Sequence, residues 1–357
     1  LLGGMVVLTL SAYAAAFVWR HHPWSTRVVP SKLARVGVGV VFAAWVDPAF
    51  GILAALAGFW WLTLDFEWMP GGTLWPLIAM TVWMGQASPL WCVHLALSLW
   101  LAMGVLQSLI SVTQRYPRLA RINVFPSAWP HGTIGHRTGL GIYLATLLPL
   151  GFLTDYGWWL ALLYVPGLVL ARSAVALGSA LVGLLWVTGA WWAIPLIAIL
   201  GVPRALKWHY GPVPSRASEW VYLGPLAVKF RHLPQSLMAR TKVWRVALWH
   251  SMLSPHWVIG HGGLSFHRAS RSWIGPHGFL EHYDEAHNDY VEFFYEYGAV
   301  GLAAAAFWIG WHWQAFARGD PVTGALLAFA TAMLANFPAR VATLTALFVF
   351  LLILVMR

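Results

Sequence analysis

Residues 90–113, "LWCVHLALSLWLAMGVLQSLISVT", run for 24 positions without one Asp, Glu, Lys or Arg. At ~1.5 Å of rise per residue, a helix of that length covers the ~30 Å of a bilayer's hydrocarbon, where the backbone must satisfy its own hydrogen bonds. The block is apolar throughout rather than alternating, so it reads as a helix and not as a strand of a membrane barrel. Further apolar stretches lie at 2–19, 36–64, 73–87, 139–154, 157–171, 174–190, 191–202, 298–316, 321–336 and 340–356. The segment 36–64 is long and broken at Pro48, so it is one span or two short helices, and the short pair within 174–202 is expected to tilt, kink or partly re-enter. Of the 357 residues 59% are hydrophobic and only 10% charged, a balance far from that of an ordinary soluble domain. The expected fold is an all-α integral membrane protein, a polytopic bundle of about ten to twelve transmembrane helices.

A formal charge of +10 suits anionic lipid headgroups, topogenic loops or a phosphate-bearing substrate in such a chain, and nucleic acid is set aside as a partner. The single cysteine, Cys92, sits in an apolar run. It offers no disulfide framework, redox pair or thiolate cluster. The opening "LLGGMVVLTLSAYAAAFVW" lacks a basic leader region and an initiator methionine, and reads as a first spanning helix.

One segment interrupts the apolar pattern. From Pro203 to Tyr297 the chain gathers ten of its 22 Lys/Arg, nine of its 15 His and seven of its 12 acids. The chain thus divides into N-terminal transmembrane helices (1–202), a loop large enough to carry a site (203–297) and C-terminal transmembrane helices (298–357). Long loops cross regardless of charge, so short connections decide the topology. Arg318 and Arg357 place their ends in the cytoplasm, which puts the loop in the periplasm, and the basic "RHHPWSTRVVPSKLAR" (20–35) also prefers the cytoplasm. Within the loop, Leu233, Leu237, Trp244, Leu248 and Met252 recur at near-helical spacing among Arg240, Lys242 and Arg245. This fits a helix lying on the membrane surface or one packed over the mouth of the bundle.

The loop ends in "EAHNDYVEFFYEYGAVG" (285–301). On a helix at ~100° per residue, Glu285, Asp289, Glu292 and Glu296 share one face and His287 lies nearly opposite. Six of the chain's 12 acids fall between 281 and 296, whereas 203–271 holds ten Lys/Arg against one acid, Glu219. The acidic stripe is therefore expected to dock on the basic layer and fix the helix. His287 is left at the junction of loop and membrane, above Gly298 and Gly301, small residues that allow close helix approach. With an ordinary pKa of ~6.5 it can act as a neutral base, although a lone interfacial histidine can equally be structural.

The stretch "HNDYVEFFYEYGAVG" fits a pattern of His, then Asn/Ser/Gln, nine residues, Gly, two residues, and Gly/Thr/Tyr. In this it resembles the O-antigen ligase family and its relatives among the O-antigen polymerases and bacterial protein O-oligosaccharyltransferases. "GTIGHRTGLGIYLATLLPL" (132–150), "LVLARSAVALG" (168–178) and the course "ARTKVWRVAL...HWVIGHGGLSF" resemble the same family in the same order. The chain has His136 and Arg137 where the family commonly has asparagines, and its helix end reads Arg172-Ser173.

The resemblance implies a GT-C-like glycosyltransferase of the bacterial inner membrane with its active site facing the periplasm. It would take an undecaprenyl-diphosphate-linked glycan as donor and lipid A core, a glycan or a protein hydroxyl as acceptor, among membrane lipids. His287 would be the catalytic base, and Arg172 and Arg240 would bind the lipid diphosphate. His136, Arg137, Arg245, Asn288 and Glu296 are further substrate-site candidates. His250, His256, His261, His267, His277 and His282 occur without an HExxH or a carboxylate at ligand spacing, so no metal and no other cofactor is expected. Other classes are a proton-coupled transporter, against which few acids besides Asp47 stand in the spans, and a haem-handling protein, suggested by Trp and His content.

Overall fold

The computed structural model describes residues 28–63, 71–115, 132–134, 136–171, 173–190, 240–262, 265–270, 273–274, 280–281, 286–316, 319–336, 338 and 341–357. The N-terminal stretch 2–19 and the segment 191–202 lie outside them.

Pro48 does divide the long segment 36–64. Helix α1 (Val28–Val46) is followed after Asp47 by α2 (Pro48–Thr63). Proline suits the first position of a helix because its missing N–H has no partner there, and Asp47 Oδ1 accepts from Ala49 N–H at 2.8 Å. The two helices fold back on each other about Asp47, and Val40, Ala43, Phe50 and Ala54 enter one core with Ala79 and Val82 of α3 (Gly71–Ala87).

Next come α4 (Leu90–Arg115), α5 (Arg137–Leu150), α6 (Gly157–Leu170) and α7 (Ala174–Thr188). In the loop, residues 240–253 form α8, followed by α9 (Ser265–Ala269). A two-residue ladder then pairs β1 (Trp273–Ile274) with β2 (Leu280–Glu281), antiparallel, with Trp273 opposite Glu281. Helices α10 (Asp289–Trp311), α11 (Pro321–Met333) and α12 (Ala342–Val355) complete the described chain.

Helix α5 is apolar all round and is the axis of the main core. Every residue from Gly139 to Leu150 is buried, as a helix without a polar face requires. Leu140, Leu144 and Leu147 pack with Tyr164 of α6, Phe329 of α11 and Leu347 and Leu351 of α12. Gly104 opens α4 to this core, since a Cβ there would lie 2.8 Å from Leu147 Cδ1 and 2.9 Å from Tyr164 Cε1. The outer faces are apolar too. Leu90, Trp91, Leu95 and Leu99 of α4 and Trp158, Trp159 and Leu162 of α6 are exposed, a surface that suits hydrocarbon rather than water. Among the described residues, Leu90–Arg115 and Asp289–Trp311 are long and apolar enough to cross a membrane, and six further apolar stretches are shorter.

Contacts between helix termini define two ends of the bundle. At one, His312 Nε2 meets Asp47 Oδ2 at 2.9 Å, Gln86 donates to the Met356 carbonyl at 3.1 Å, and Arg357 donates to the Ser88 carbonyl. At the other lie the starts of α5 and α10 and the connection between α11 and α12. Because the chain folds back at Asp47, which lies at the same end as Arg357, residues 28–35 begin at the α10-start end, opposite Arg357. The sequence reading placed them beside it, and residues 20–27 lie outside the description. Asp47, the buried acid that a proton carrier would need, caps α2 and pairs with His312.

Candidate functional site

The start of α10 is held by an unusual turn. Asn288 is its N-cap, with Oδ1 accepting from the Tyr290 and Val291 N–H groups at 2.9 and 3.1 Å, as a side chain at that position does for orphan amides. His287 therefore lies outside the helix, and the wheel that set it opposite the acids does not apply. Its φ is 53°, and it is the only described non-glycine residue with a positive φ. That conformation costs roughly 1–2 kcal/mol for a residue with a Cβ, and such strain gathers where function needs a side chain aimed.

The turn is over-determined on both sides. Trp244 Nε1 donates to the Ala286 carbonyl at 2.7 Å, and Ala286 N–H donates to Glu292 Oε1 at 2.8 Å. The Asp289 N–H donates to the Asn336 carbonyl at 3.2 Å. Asp289, Glu292 and Glu296 are all buried, so the acidic face is enclosed, and Glu292 anchors the helix entry itself. The face's proposed docking on the basic layer involves many residues outside the description.

Arg240 lies on α8 and is half-buried. Its Nη1 donates to the Ala335 carbonyl at 2.6 Å, which fixes one edge of a five-donor fork. Burial pushes its pKa below the ordinary value, yet a guanidinium stays charged. The His287 imidazole is also held below the usual histidine range, first by burial and then by the positive charge of Arg240 and the neighbouring His136. The three groups thus share one electrostatic neighbourhood, and His287 is neutral at neutral pH. Titration of the His287 imidazole by NMR is expected to give a midpoint below ~6.5. Arg240→Gln removes a cation that opposes protonation, so the midpoint moves up. A wild-type midpoint above the ordinary value would contradict this environment.

A histidine whose folded pKa is depressed contributes stability that is present above its unfolded pKa of ~6.5 and is lost as pH falls from there through the lower folded pKa.

His136 caps α5, its Nδ1 accepting from Gly139 N–H at 3.3 Å. A ring nitrogen that accepts carries no proton, so the neutral ring bears its proton on Nε2. The turn before it is held by residues the sequence reading passed over. Gln114 grips Gly132 through both its amide atoms, at 3.0 and 3.1 Å. Gln107 binds Thr133 N–H at 2.8 Å and Thr133 Oγ1 at 2.6 Å. Their signal was a row of polar residues in an apolar run: Gln107, Ser108, Ser111 and Gln114 lie on one face of α4 and are buried.

Arg137 is the first residue of α5 and is half-exposed. Arg172 lies outside the described residues; its neighbours Ala171 and Ser173 pack near Gly141 of α5, and Ser173 Oγ caps α7 by accepting from Ala176 N–H at 3.3 Å. Arg245 is exposed on α8, about 140° around the helix from Arg240. The structure thus brings His287, Arg240 and His136 together, uses Asn288 as a cap, and leaves Arg245 apart.

Glu296 marks a second irregularity. Helix α10 breaks at Gly298, with φ 66° and ψ −164°, and residues 258–262 insert there. Val300 N–H donates to the Val258 carbonyl at 2.9 Å, Gly262 N–H to the Glu296 carbonyl at 2.9 Å and His261 N–H to the Tyr295 carbonyl at 3.0 Å. The His261 ring stacks on Tyr295, with centroids 4.2 Å apart. Gly298 is therefore needed for a backbone break against a loop, not for helix–helix approach as the sequence suggested. Among the described residues no three His, Cys, Asp or Glu side chains gather as a metal site.

Residues 137–306 match the family described as O-antigen ligase. Over these residues, just under half of the chain, the protein is similar to the O-antigen ligase family. Comparison with curated proteins and with solved structures gives no match. The O-antigen ligase match begins one residue after the His136 cap and ends in α10, so it contains Arg240, His287, Asn288 and the Gly298 break. The Ala335 and Asn336 carbonyls that hold this region lie beyond it. The match supports, at a coarse level, a glycosyltransferase-like enzyme of the O-antigen ligase and polymerase type.

Proposed function

We propose that this protein transfers an oligo- or polysaccharide from undecaprenyl diphosphate to an acceptor hydroxyl, with lipid A core as the acceptor. The observation that carries the reading is His287, held neutral in a left-handed turn close enough to Arg240 to feel its charge. The acceptor oxygen attacks C1 of the donor sugar, the bond from C1 to the diphosphate oxygen breaks, and the acceptor proton passes to His287 Nδ1 or Nε2. One displacement inverts C1. The imidazolium that forms is offset by the negative charge growing on the departing diphosphate.

Guanidinium forks suit that leaving group. Ala335 takes one donor of Arg240, and Arg172 is the second candidate, next to a turn that packs near the start of α5. Arg137 adds positive charge and His136 a ring N–H donor at the same end, and Arg245 and Glu296 are less direct candidates. In this reading the bundle is GT-C-like, sits in the bacterial inner membrane with ten to twelve spans, and presents the site to the periplasm without a metal.

Purified protein incubated with an undecaprenyl-diphosphate glycan is expected to glycosylate lipid A core in preference to a second lipid-linked repeat or a pilin-like protein. Preferred transfer to the lipid-linked repeat would make the protein a polymerase, and transfer to the protein acceptor an O-oligosaccharyltransferase. Failure with all three would overturn the glycosyl-transfer reading.

A further inference from the structure

Two side chains hold a single peptide from opposite sides. The Trp244 indole N–H reaches the Ala286 carbonyl at 2.7 Å, while the Glu292 carboxylate accepts the Ala286 N–H at 2.8 Å. Ala286 is fully buried in a small core with Val243, Phe266, Trp273 and Tyr295. Neither of its backbone groups can turn to water, so each depends on the bond it has. The next residue is His287 with its positive φ. After it, Asn288 is locked by the helix amides it caps. A fixed peptide before His287 and a fixed cap after it leave that residue to make the reversal.

The two partners are themselves anchored. Glu292 lies in the first turn of α10 and is 3% exposed, and the positive helix start favours its ionised form. Trp244 stands on α8 four positions after Arg240, one turn along the same face. Any shift of α8 that moves the guanidinium also moves the indole that holds the histidine's peptide.

We propose that Trp244 and Glu292 are a positioning pair for His287: together they fix the Ala286 peptide, aim the imidazole, and tie its place to that of the Arg240 guanidinium. The proposal rests on the reading of His287 as the base. Neither residue contacts donor or acceptor in this scheme, so its signature is a loss in turnover without a loss in binding.

Three variants test it. Trp244→Phe keeps a ring in the core and removes the N–H; Glu292→Leu removes the acceptor; Glu292→Gln keeps a carbonyl oxygen to receive the Ala286 N–H. Misplacing a reacting group by about 1 Å can cost ~10²-fold, so Trp244→Phe and Glu292→Leu are expected to lower kcat about 10- to 100-fold with donor KM within about twofold, and Glu292→Gln to restore most of the loss. Added to His287→Ala, Trp244→Phe should cost nothing more, since the ring it aims is gone. Wild-type kcat in folded Trp244→Phe, or additive losses with His287→Ala, would overturn the pairing. Where Glu292→Leu does not fold, Trp244→Phe and the double variant decide. Full activity of His287→Ala alone would instead overturn the base assignment, so the two failures are distinguishable.

Discussion

His287→Ala is expected to lower glycosyl transfer about 10²- to 10⁴-fold, the usual contribution of a general base, while donor binding stays close to that of the wild type. The separation follows from the geometry. Arg240 is fixed by the Ala335 carbonyl, and Asn288 caps α10 through its own side chain, so removing the imidazole disturbs neither. The backbone supplies a second check. At φ 53° alanine carries about the same strain as histidine, whereas glycine carries none. His287→Gly should therefore be as inactive as His287→Ala yet melt at a higher temperature. Transfer rates measured with a labelled donor, beside melting curves in detergent, separate the two effects. Unchanged turnover in either folded variant removes His287 from the chemistry.

The apolar helices were legible in the sequence because burial in hydrocarbon leaves a mark on every residue of a span. The start of α10 was legible in principle: Asn288 followed by Asp289 and Glu292 is an N-cap with acids in the first turn. Extending the wheel back to Glu285 overrode that signal and put His287 on the wrong side of a helix boundary. Arg240 could be singled out by its type, but its partner could not. The Ala335 carbonyl is a backbone group, and no residue type announces a carbonyl aimed at a cation 95 positions earlier. Gln107 and Gln114 stood out as polar residues in an apolar run, although nothing in the sequence says that they clamp the turn before His136. Gly298 was noticed for its size, and size was the smaller part of its role.

Gly298→Ala should be among the most damaging single-methyl additions in the described chain. At φ 66° and ψ −164° the residue occupies backbone space that is essentially restricted to glycine. A Cβ built there would overlap the Val258 carbonyl and stand 2.5 Å from Gly260 N, and both are backbone atoms that no rotamer change can move. Strain and overpacking each cost about 1–3 kcal/mol, so the sum is about 2–6 kcal/mol. A loss of that size is expected to lower the melting temperature by on the order of 5–10 °C. The same helix holds its own control. A Cβ at Gly310 meets nothing within 4 Å, and its φ is not positive, so Gly310→Ala should be neutral or stabilise by up to ~1 kcal/mol. Function is expected to follow, because the inserted loop of residues 258–262 sets the direction of the two turns of α10 that carry Asn288 and the buried Glu292. If they tilt, the His287 turn loses its frame even where the bundle survives. Gly298→Ala that melts with Gly310→Ala and transfers at the wild-type rate would show that the break is dispensable, and that Val258 and Gly260 can retreat from α10 at little cost.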